Sequence, residues 1–422
     1  MSARLELLHS PPVHSASSLP RISDWYPSSF VLLINLLYPT YLTDRNTYAW
    51  RGRRDWASLA AGPAGLIAET VLRNHVADFL RFRAVCMGWR GSTAHLHARG
   101  ALDRRFHPRR WGWIMLPNAF NAVFRRRFLS VRTGERVLLE IPGIHRCYVL
   151  GTTAEGLVLV CRTDTYAVQL LNPLTGQIAG LPHASTLLGI NSGSVDSEVR
   201  DLNLRGAGLV DDDGDSTVVL HFEDFVLAVA KPGGESWTRL RFQNKIISAL
   251  PFAGRIYCAT AKSVSLVTTM AEQRPQLAVV ADHELDTSAR RKSMLYLVDV
   301  DGELVLSYYS PYNAEGVIPF HYDPDDVDEK LRPGLFMASR VELDTGEMVP
   351  LAGLDGQALF VGRSCSLLVP AGVSPSIKAD TVYFCGLSPE KFALDLLGGS
   401  VERFCFNKTD AAYCISCYAC RP

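Results

Sequence analysis

The sequence predicts an α+β multidomain protein, in which a small three-helix module precedes an all-β propeller of about six or seven blades. Three observations support this fold class. Apolar residues recur at helical spacing between residues 54 and 100, and short runs rich in Val, Leu, Tyr and Phe follow from about residue 105. A strand–turn–strand pattern then recurs at four places. With 422 residues, 47% of them apolar, the chain can hold more than one domain.

The composition divides the chain into four segments: residues 1–53 as a polar, partly disordered extension, 54–100 as a helical domain, 105–400 as the propeller and 401–422 as a C-terminal tail. The longest early apolar run, Phe30–Leu37, is far shorter than the roughly 20 residues of a membrane-spanning helix. No basic stretch precedes an apolar core, as it would in a secretory signal. We expect an intracellular protein, cytoplasmic or nuclear or both, without membrane contact.

The helical segment carries a broad apolar stripe. Its members recur at i, i+3, i+7 and i+10 within a single predicted helix from Ala77 to Arg90: Phe79, Phe82, Cys86 and Trp89. Positive residues flank the stripe: Arg81, Arg83 and Arg90. Two or three short helices cannot bury so wide a face among themselves. We therefore expect part of this face to bind a partner.

The later segment is predicted to be rich in antiparallel strands. Short apolar runs there are separated by Gly, Pro, Asn and Asp: Val137–Ile141, Gly156–Val160, Ala167–Leu171, Thr217–His221 and Leu295–Asp299. No long amphipathic helix is predicted between these runs, which argues against a parallel βαβ fold.

The four repeats each place a Thr-Gly or Gly-Gly turn between two strands: Leu129–Pro142, Leu170–Pro182, Ala230–Leu240 and Val341–Leu351. Glycine adopts the positive φ that such hairpin turns need. A unit of this kind buries its faces against neighbouring units. Roughly 300 residues at about 40–50 per blade predict six or seven blades.

The helical segment resembles a known family. The letters RDWASL, GLIAETVL and VADFLRFRAVCMGWR, between Arg54 and Arg90, resemble an F-box, the short motif that docks on the Skp adaptor of cullin–RING ubiquitin ligases. They are most similar to the F-boxes of plant proteins with a C-terminal KIB-type, kelch-like propeller. The Leu-Pro that usually opens the first F-box helix is replaced by Ala61–Gly65, which implies a frayed start and weaker adaptor binding.

The propeller segment resembles the same family. The stretches that carry this resemblance are Arg104–Pro117, Leu170–Pro182, Val298–Leu306 and Leu354–Phe384. With the F-box, the resemblance covers about residues 54 to 386. The tail from Phe404 onward departs from the family's usual ending, so that residues 401–422 are atypical of the family.

The resemblance implies the substrate-recognition subunit of an SCF-type ubiquitin ligase. Such a subunit binds a Skp-type adaptor, and through it a cullin, while its propeller recruits an unknown protein target and catalyses no reaction. The implied adaptor-binding residues are Pro63, Leu66, Ile67, Val71, Leu72, Val76, Phe79, Leu80, Arg83, Val85, Cys86, Trp89 and Arg90. Some of them hold the helices together and others contact the adaptor, and the sequence does not separate the two groups.

Charge argues against nucleic acid as a partner, because Lys+Arg and Asp+Glu are balanced at 43 each. Arginine dominates from Arg45 to Arg136. That bias suits an acidic adaptor surface, and an ordinary solvated surface explains it as well. Arginines and aromatics alternate in Arg104–Trp113, where they could stack on RNA bases or pack on one another.

The motifs that would indicate metal binding or covalent catalysis are incomplete in this sequence. The acidic loop Asp211–Asp215 lacks carboxylates at both ends of an EF-hand loop, where Leu209 and Leu220 stand. The C-x-x-C-x-x-C of the tail lacks a second ligand pair for zinc. Gly362–Ser366 breaks the nucleophile-elbow pattern. We therefore expect no metal and no cofactor. Two other hypotheses stay open: a propeller interaction protein with a degenerate F-box, and a propeller enzyme.

Overall fold

The computed structural model describes residues 5–7, 56–74, 76–93, 100–109, 112–115, 125–141, 143–189, 195–212, 215–223, 225–268, 275–283, 285, 294–310, 335–362, 366–385 and 392–404. Two compact units make up the chain, one of residues Leu7–Arg99 and one of Met1–Glu6 with Gly100–Pro422. The predicted N-terminal extension, apart from residues 5–7, and residues 405–422 of the predicted tail lie outside the described residues.

The described part of the first unit contains three α-helices: α1 (Ala61–Asn74), α2 (Val76–Val85) and α3 (Met87–Ser92). A 3-10 turn, Trp56–Ser58, precedes them. Helix α1 includes the glycines and the proline of its start; Pro63 is tolerated because the first-turn N–H groups have no intrahelical acceptor. Its buried residues follow the helical period: Ala64, Ile67, Ala68, Val71 and Leu72.

The prediction of one continuous helix from Ala77 to Arg90 is wrong. Helix α2 ends at Val85, and Cys86 has extended backbone angles, φ −157° and ψ 168°. The chain then starts a new helix at Met87. Because of this break, the spacing i, i+3, i+7, i+10 does not describe one helical face beyond Val85.

The second unit is made mostly of strands. In chain order these are β1 (Leu5–Leu7), β2 (Trp113–Met115), β3 (Arg125–Ser130), β4 (Arg136–Glu140), β5 (Cys147–Thr152), β6 (Val158–Arg162), β7 (Ala167–Leu171), β8 (Ile178–His183), β9 (Gly206–Asp212), β10 (Asp215–Glu223), β11 (Val226–Ala230), β12 (Thr238–Arg241), β13 (Ser248–Phe252), β14 (Arg255–Ala259), β15 (Ser263–Thr268), β16 (Gln276–Asp282), β17 (Met294–Val300), β18 (Glu303–Ser310), β19 (Leu335–Val341), β20 (Met348–Pro350), β21 (Gln357–Val361), β22 (Ser366–Pro370), β23 (Thr381–Phe384), β24 (Phe392–Asp395) and β25 (Val401–Arg403). Two short helices, α4 (Ala184–Leu188) and α5 (Val195–Arg200), lie between β8 and β9.

Within the described ranges these strands form six sheets. Their strand orders are β1-β4-β3-β2, β5-β6-β7-β8, β12-β11-β10-β9, β13-β14-β15-β16, β17-β18-β19-β20 and β22-β21-β23-β24-β25. Among strands β2 to β25, neighbouring strands of a sheet are antiparallel, except for β21 with β23, which run parallel. All five strands predicted from apolar runs are confirmed, as β4, β6, β7, β10 and β17. The number of blades stays a prediction.

The four predicted hairpin turns are confirmed. Each connects neighbouring strands of one sheet: β3 to β4, β7 to β8, β11 to β12 and β19 to β20. The turn glycines are Gly134, Gly176, Gly233 and Gly346, with φ between 71° and 77°. A side chain at such a φ would be strained, which explains the glycine in each repeat.

The core lies between successive sheets. One apolar cluster joins the second and third sheets, and others join the third to the fourth, the fourth to the fifth and the fifth to the sixth. A further cluster packs Ile114 and Leu129 of the first sheet against Phe360 and Leu367 of the sixth. The sheets from the second to the sixth therefore bury faces against one another in succession, and the sixth packs against the first, as expected for a propeller-like arrangement.

Candidate functional site

The structure divides the thirteen sequence-predicted adaptor-binding residues by exposure. The buried members are Ile67, Val71, Leu72, Val76, Phe79 and Trp89. The half-buried members are Pro63, Leu80, Arg83 and Cys86, and the exposed members are Leu66, Val85 and Arg90. The buried group can contact a partner only if the unit rearranges, whereas the exposed group is accessible as it stands.

Trp89 belongs to the interior of the helical unit. Its indole stacks on Phe82, with ring centroids 4.4 Å apart and an interplanar angle of 21°. Its Nε1–H donates a hydrogen bond of 2.9 Å to the carbonyl oxygen of Trp56. A buried indole needs such an acceptor, because an unpaired N–H away from water is costly. Trp89 thus ties α3 to α2 and to the 3-10 turn.

Cys86 begins the third helix. As its N-cap residue it accepts the N–H of Trp89 on Sγ at 3.4 Å, the place that Ser or Asp oxygen usually takes. The turn that it makes leaves Met87 exposed over 87% of its surface. Met87 was missing from the sequence-predicted set. Cys is not among the preferred N-cap residues, so the sequence carries no clear signal for this break.

Three large apolar side chains of the described helices α1 to α3 are exposed, and we call them the module surface: Leu66 at 61%, Val85 at 44% and Met87 at 87%. Leu66 lies on α1 away from its buried stripe, between Gly62 and Arg73, which are also exposed. Val85 and Met87 flank the Cys86 cap. Such side chains lose favourable burial energy when left in water, and a group of them often marks a protein contact.

Arginines accompany the module surface with different roles. Arg83 donates hydrogen bonds to the hydroxyl and carbonyl of Thr93 and lies over the Phe79 ring, 5.8 Å from its centroid. Burial, and then the charge of Arg90, lower the pKa of Arg83. Arg90 is exposed, and its Nε donates to the carbonyl of Arg83 at 3.3 Å. Arg83 is therefore part of the packing, and Arg90 presents a positive charge to solvent.

A cavity of about 480 Å³ lies within the second unit, where loops of the first, fifth and sixth sheets meet. Its polar lining comes from Arg109, Arg132, Asp299, Asp301 and Gln357. The volume is within the roughly 300–1,000 Å³ of ligand pockets. The sequence did not predict this site, because its residues are up to 261 positions apart and only sheet packing joins them.

Hydrogen bonds hold several lining side chains in place. Asp299 accepts the N–H of Gly302 at 2.8 Å, and the Nε2 of Gln357 donates to Asp301 at 3.0 Å. The Arg109 guanidinium donates a hydrogen bond to the carbonyl of Ser366. This bond connects the segment before β2 of the first sheet to β22 of the sixth sheet. We call this space the charged cavity.

A smaller cavity of about 100 Å³ shares Arg109 and Asp299 with the charged cavity. The strands β9, β13 and β17 line it, so it lies along the first strands of successive sheets. Gly206 of β9 permits the close approach of β13: a Cβ there would lie 2.9 Å from the carbonyl oxygen of Ala249. The two cavities share lining residues and are therefore neighbours.

Two buried titratable groups lie near Asp211. Burial lowers the pKa of His107 to about 4, although the charges of Asp211 and Asp103 act in the opposite direction. Burial raises the pKa of Glu155, which accepts the N–H of Leu209 at 2.9 Å. Across the described ranges, no group of three or more His, Cys, Asp or Glu side chains is placed to hold a metal ion. Of the described helices, none combines the length and hydropathy that crossing a bilayer requires.

The Arg104–Trp113 segment, proposed above as a site of arginine–aromatic packing or base stacking, is partly described. Arg105 lies over the Phe106 ring, 5.7 Å from its centroid, and pairs with Asp103 at 2.6 Å. Phe106 and Trp113 are buried. These aromatic rings are therefore not available for base stacking in this structure.

Comparison with known proteins gives a family. No curated protein matches the sequence significantly. Similar solved structures include a streptogramin B lyase, with 11% identity, TM-score 0.26 and coverage of 62% of this chain and 84% of that chain. Another is the Cps50 (Swd1) beta-propeller domain of Myceliophteria thermophila, with 10% identity, TM-score 0.29 and coverage of 67% and 81%. A third is BBS1N in complex with ARL6DN, with 11% identity, TM-score 0.27 and coverage of 68% and 73%.

These identities and scores carry no conclusion about function. The family model of the KIB1-4 beta-propeller matches residues 128–412, more than half of the sequence. This chain therefore belongs to the KIB1-4 beta-propeller family.

Proposed function

We propose that this chain is the substrate-recognition subunit of an SCF-type cullin–RING ubiquitin ligase. Its helical unit docks on a Skp-type adaptor, and its propeller recruits a protein target. The proposal is supported by the F-box resemblance of residues 54–90 and by the family of the β-rich unit, a protein-interaction fold. The protein then works in the cytoplasm, the nucleus or both.

The observation that carries the proposal is the module surface. Leu66, Val85 and Met87 expose apolar area on helices whose other described large apolar side chains are buried or half-buried. Apolar anchors at the centre of an interface, with charged residues at the rim, are the usual arrangement of a protein–protein contact. Arg73 and Arg90 are exposed on the same helices and suit a rim that faces an acidic partner.

The proposed mechanism is positional and the chain is not an enzyme. A target held on the propeller has a high effective concentration near the ubiquitin-charged enzyme that the cullin carries. The bond chemistry takes place on that enzyme. This role needs a folded propeller and a docking surface, and needs neither metal nor cofactor.

Co-purification from cells tests the proposal. Full-length tagged protein should recover both the Skp-type adaptor and the cullin, and Leu66→Asp should reduce the recovery of both by about tenfold, as loss of an interface anchor does. The matched control is Leu397→Asp, because Leu397 is a leucine of similar exposure, 72%, on the second unit. Recovery of neither protein by the folded wild-type chain would refute the ligase role.

A second candidate is a propeller interaction protein whose helical unit does not bind the adaptor. The burial of six predicted adaptor-binding residues favours it, because the apolar stripe is then largely explained by packing. Under this hypothesis the Leu66→Asp and Leu397→Asp variants recover the same partners as the wild-type chain.

A further inference from the structure

The charged cavity has a polar lining whose charges are segregated by sheet. Its two arginines come from the first-sheet side: Arg109 precedes β2 and Arg132 follows β3. Its two aspartates come from the fifth sheet, where Asp299 is the penultimate residue of β17 and Asp301 lies in the turn into β18. The sixth sheet contributes Gln357 and apolar groups to the lining. One side of the cavity is therefore positive and the other negative.

From this charge arrangement we propose that the charged cavity binds a short peptide segment of the recruited target that carries one acidic and one basic side chain a few residues apart. This inference rests on the proposed function, since it assigns the target-binding site of the same chain. The acidic side chain pairs with the arginines and the basic side chain with the aspartates. The smaller neighbouring cavity and the apolar lining accept the backbone and uncharged side chains between them.

The hydrogen bonds around the cavity support a preformed site. Gln357 holds Asp301, the turn N–H of Gly302 holds Asp299, and Ser366 holds Arg109. Each contact uses one atom of the charged group, and a guanidinium has five N–H donors and a carboxylate about four acceptor positions. Fixed side chains lose less rotational freedom on binding, which favours affinity. Opposite potentials on the two sides also exclude segments of a single charge sign.

The test uses labelled heptapeptide libraries on a Ser-Gly background and fluorescence polarisation with the full-length chain. One library contains one Lys and one Glu at every pair of positions, and three matched libraries contain two Lys, two Glu or no charged residue. The mixed library should bind about fivefold more tightly than the best single-sign library, the size expected for one partly exposed ion pair. Equal binding of the four libraries, or binding of none of them, overturns the proposal.

Two variants test the direction of the preference. Asp301→Asn should abolish the advantage of the mixed library over the two-Glu library, and Arg132→Gln should abolish its advantage over the two-Lys library. Asp355→Asn is the matched control for the first variant, because Asp355 is exposed, outside both cavities and at φ 50°, close to the φ of 49° at Asp301. Arg255→Gln, at another exposed arginine, controls the second. Controls that lose the preference as much as the cavity variants contradict the assignment.

Adaptor recovery, measured on the same proteins, separates this proposal from the ligase role. Asp301→Asn and Arg132→Gln should recover the adaptor as the wild-type chain does. Peptide preference without adaptor recovery supports the cavity and refutes the ligase role. Adaptor recovery without peptide preference refutes the cavity as the target site and leaves the ligase role standing.

Discussion

The ring of Phe82 stacks on the indole of Trp89, with centroids 4.4 Å apart. Phe82 belongs to α2 and Trp89 to α3, so the stacked pair holds these two helices together on either side of the Cys86 cap. Both side chains are buried. Trp89, one of the implied adaptor-binding residues, is therefore a packing residue, and the exposed Val85, Met87 and Leu66 are the candidates for contact with a partner.

Trp89→Ala should destabilise the helical unit by about 3–5 kcal/mol, because it leaves a cavity against Phe82 and removes the donor to the Trp56 carbonyl. Hydrogen exchange of the α1 to α3 amides measures this loss locally. Met87→Ala is the control, since Met87 is exposed and its truncation should leave the exchange rates unchanged. Equal protection in the wild type and Trp89→Ala would contradict the packing role.

Cys86→Ser and Cys86→Ala should differ in stability by about 1 kcal/mol, with Ser the more stable. The hydroxyl of Ser can accept the Trp89 N–H that Sγ now accepts at 3.4 Å, whereas Ala cannot. Hydrogen exchange of the first α3 amides is the measurement. If the two variants exchange at the same rate, the cap does not contribute to the start of α3.

Stability of the second unit should depend on pH through His107. Its folded-state pKa of about 4 is below the 6.5 of the free side chain, so the unfolded chain binds more protons between these values. The contribution of His107 is fully present above pH 6.5 and is lost as pH falls toward 4. From these two pKa values, the loss is about 2 kcal/mol between pH 7 and pH 5.

Denaturant unfolding of wild type and His107→Gln at pH 5, 6 and 7 measures this contribution. Gln does not titrate, so the stability of the wild type relative to the variant should fall by that amount as pH falls. A difference that stays constant from pH 7 to pH 5 would show that His107 is protonated alike in the folded and unfolded chains.

Glu155 should give the stability of the second unit a pH dependence opposite to that of His107. Its Oε2 is buried without a hydrogen bond to any described residue, and burial raises its pKa. A raised folded-state pKa gives a contribution that is full below the unfolded pKa and is lost as pH rises. Glu155→Gln keeps an acceptor for the Leu209 N–H and carries no charge. As pH rises from 5 to 8, the free energy of unfolding of the Glu155→Gln variant should therefore increase relative to that of the wild type in the same assay. A decrease relative to the wild type would contradict the burial of a neutral carboxyl.

Much of the propeller-like fold was predictable from local sequence. The glycines at positions 134, 176, 233 and 346 identified hairpins because positive φ is a local requirement that few other residues meet. The parallel pairing of β21 with β23 was not predictable in the same way. It depends on which strands meet after the β22 hairpin, and no residue pattern within either strand states that partner.

The sequence predicted which apolar residues form the helical unit, but it did not predict which of them are exposed to solvent. The spacing of Ile67, Val71 and Phe79 identified apolar helices, but burial depends on how the helices pack. Met87 was missed because the chain breaks at Cys86 and starts a new helix at Met87, so the face that a continuous helix predicts no longer applies. The charged cavity was not predictable from the sequence, because Arg109 and Asp299 come together only through the packing of sheets.

The measurement that tests the account most directly is the affinity of purified full-length chain for purified Skp-type adaptor, by isothermal titration. The wild-type chain should bind, and Met87→Asp should weaken binding by at least about tenfold, because it places a charge among the apolar contacts. Leu397→Asp should bind as the wild type does. No heat of binding with the folded wild-type chain, or equal affinity for Met87→Asp, would contradict the claim that the module surface docks the adaptor.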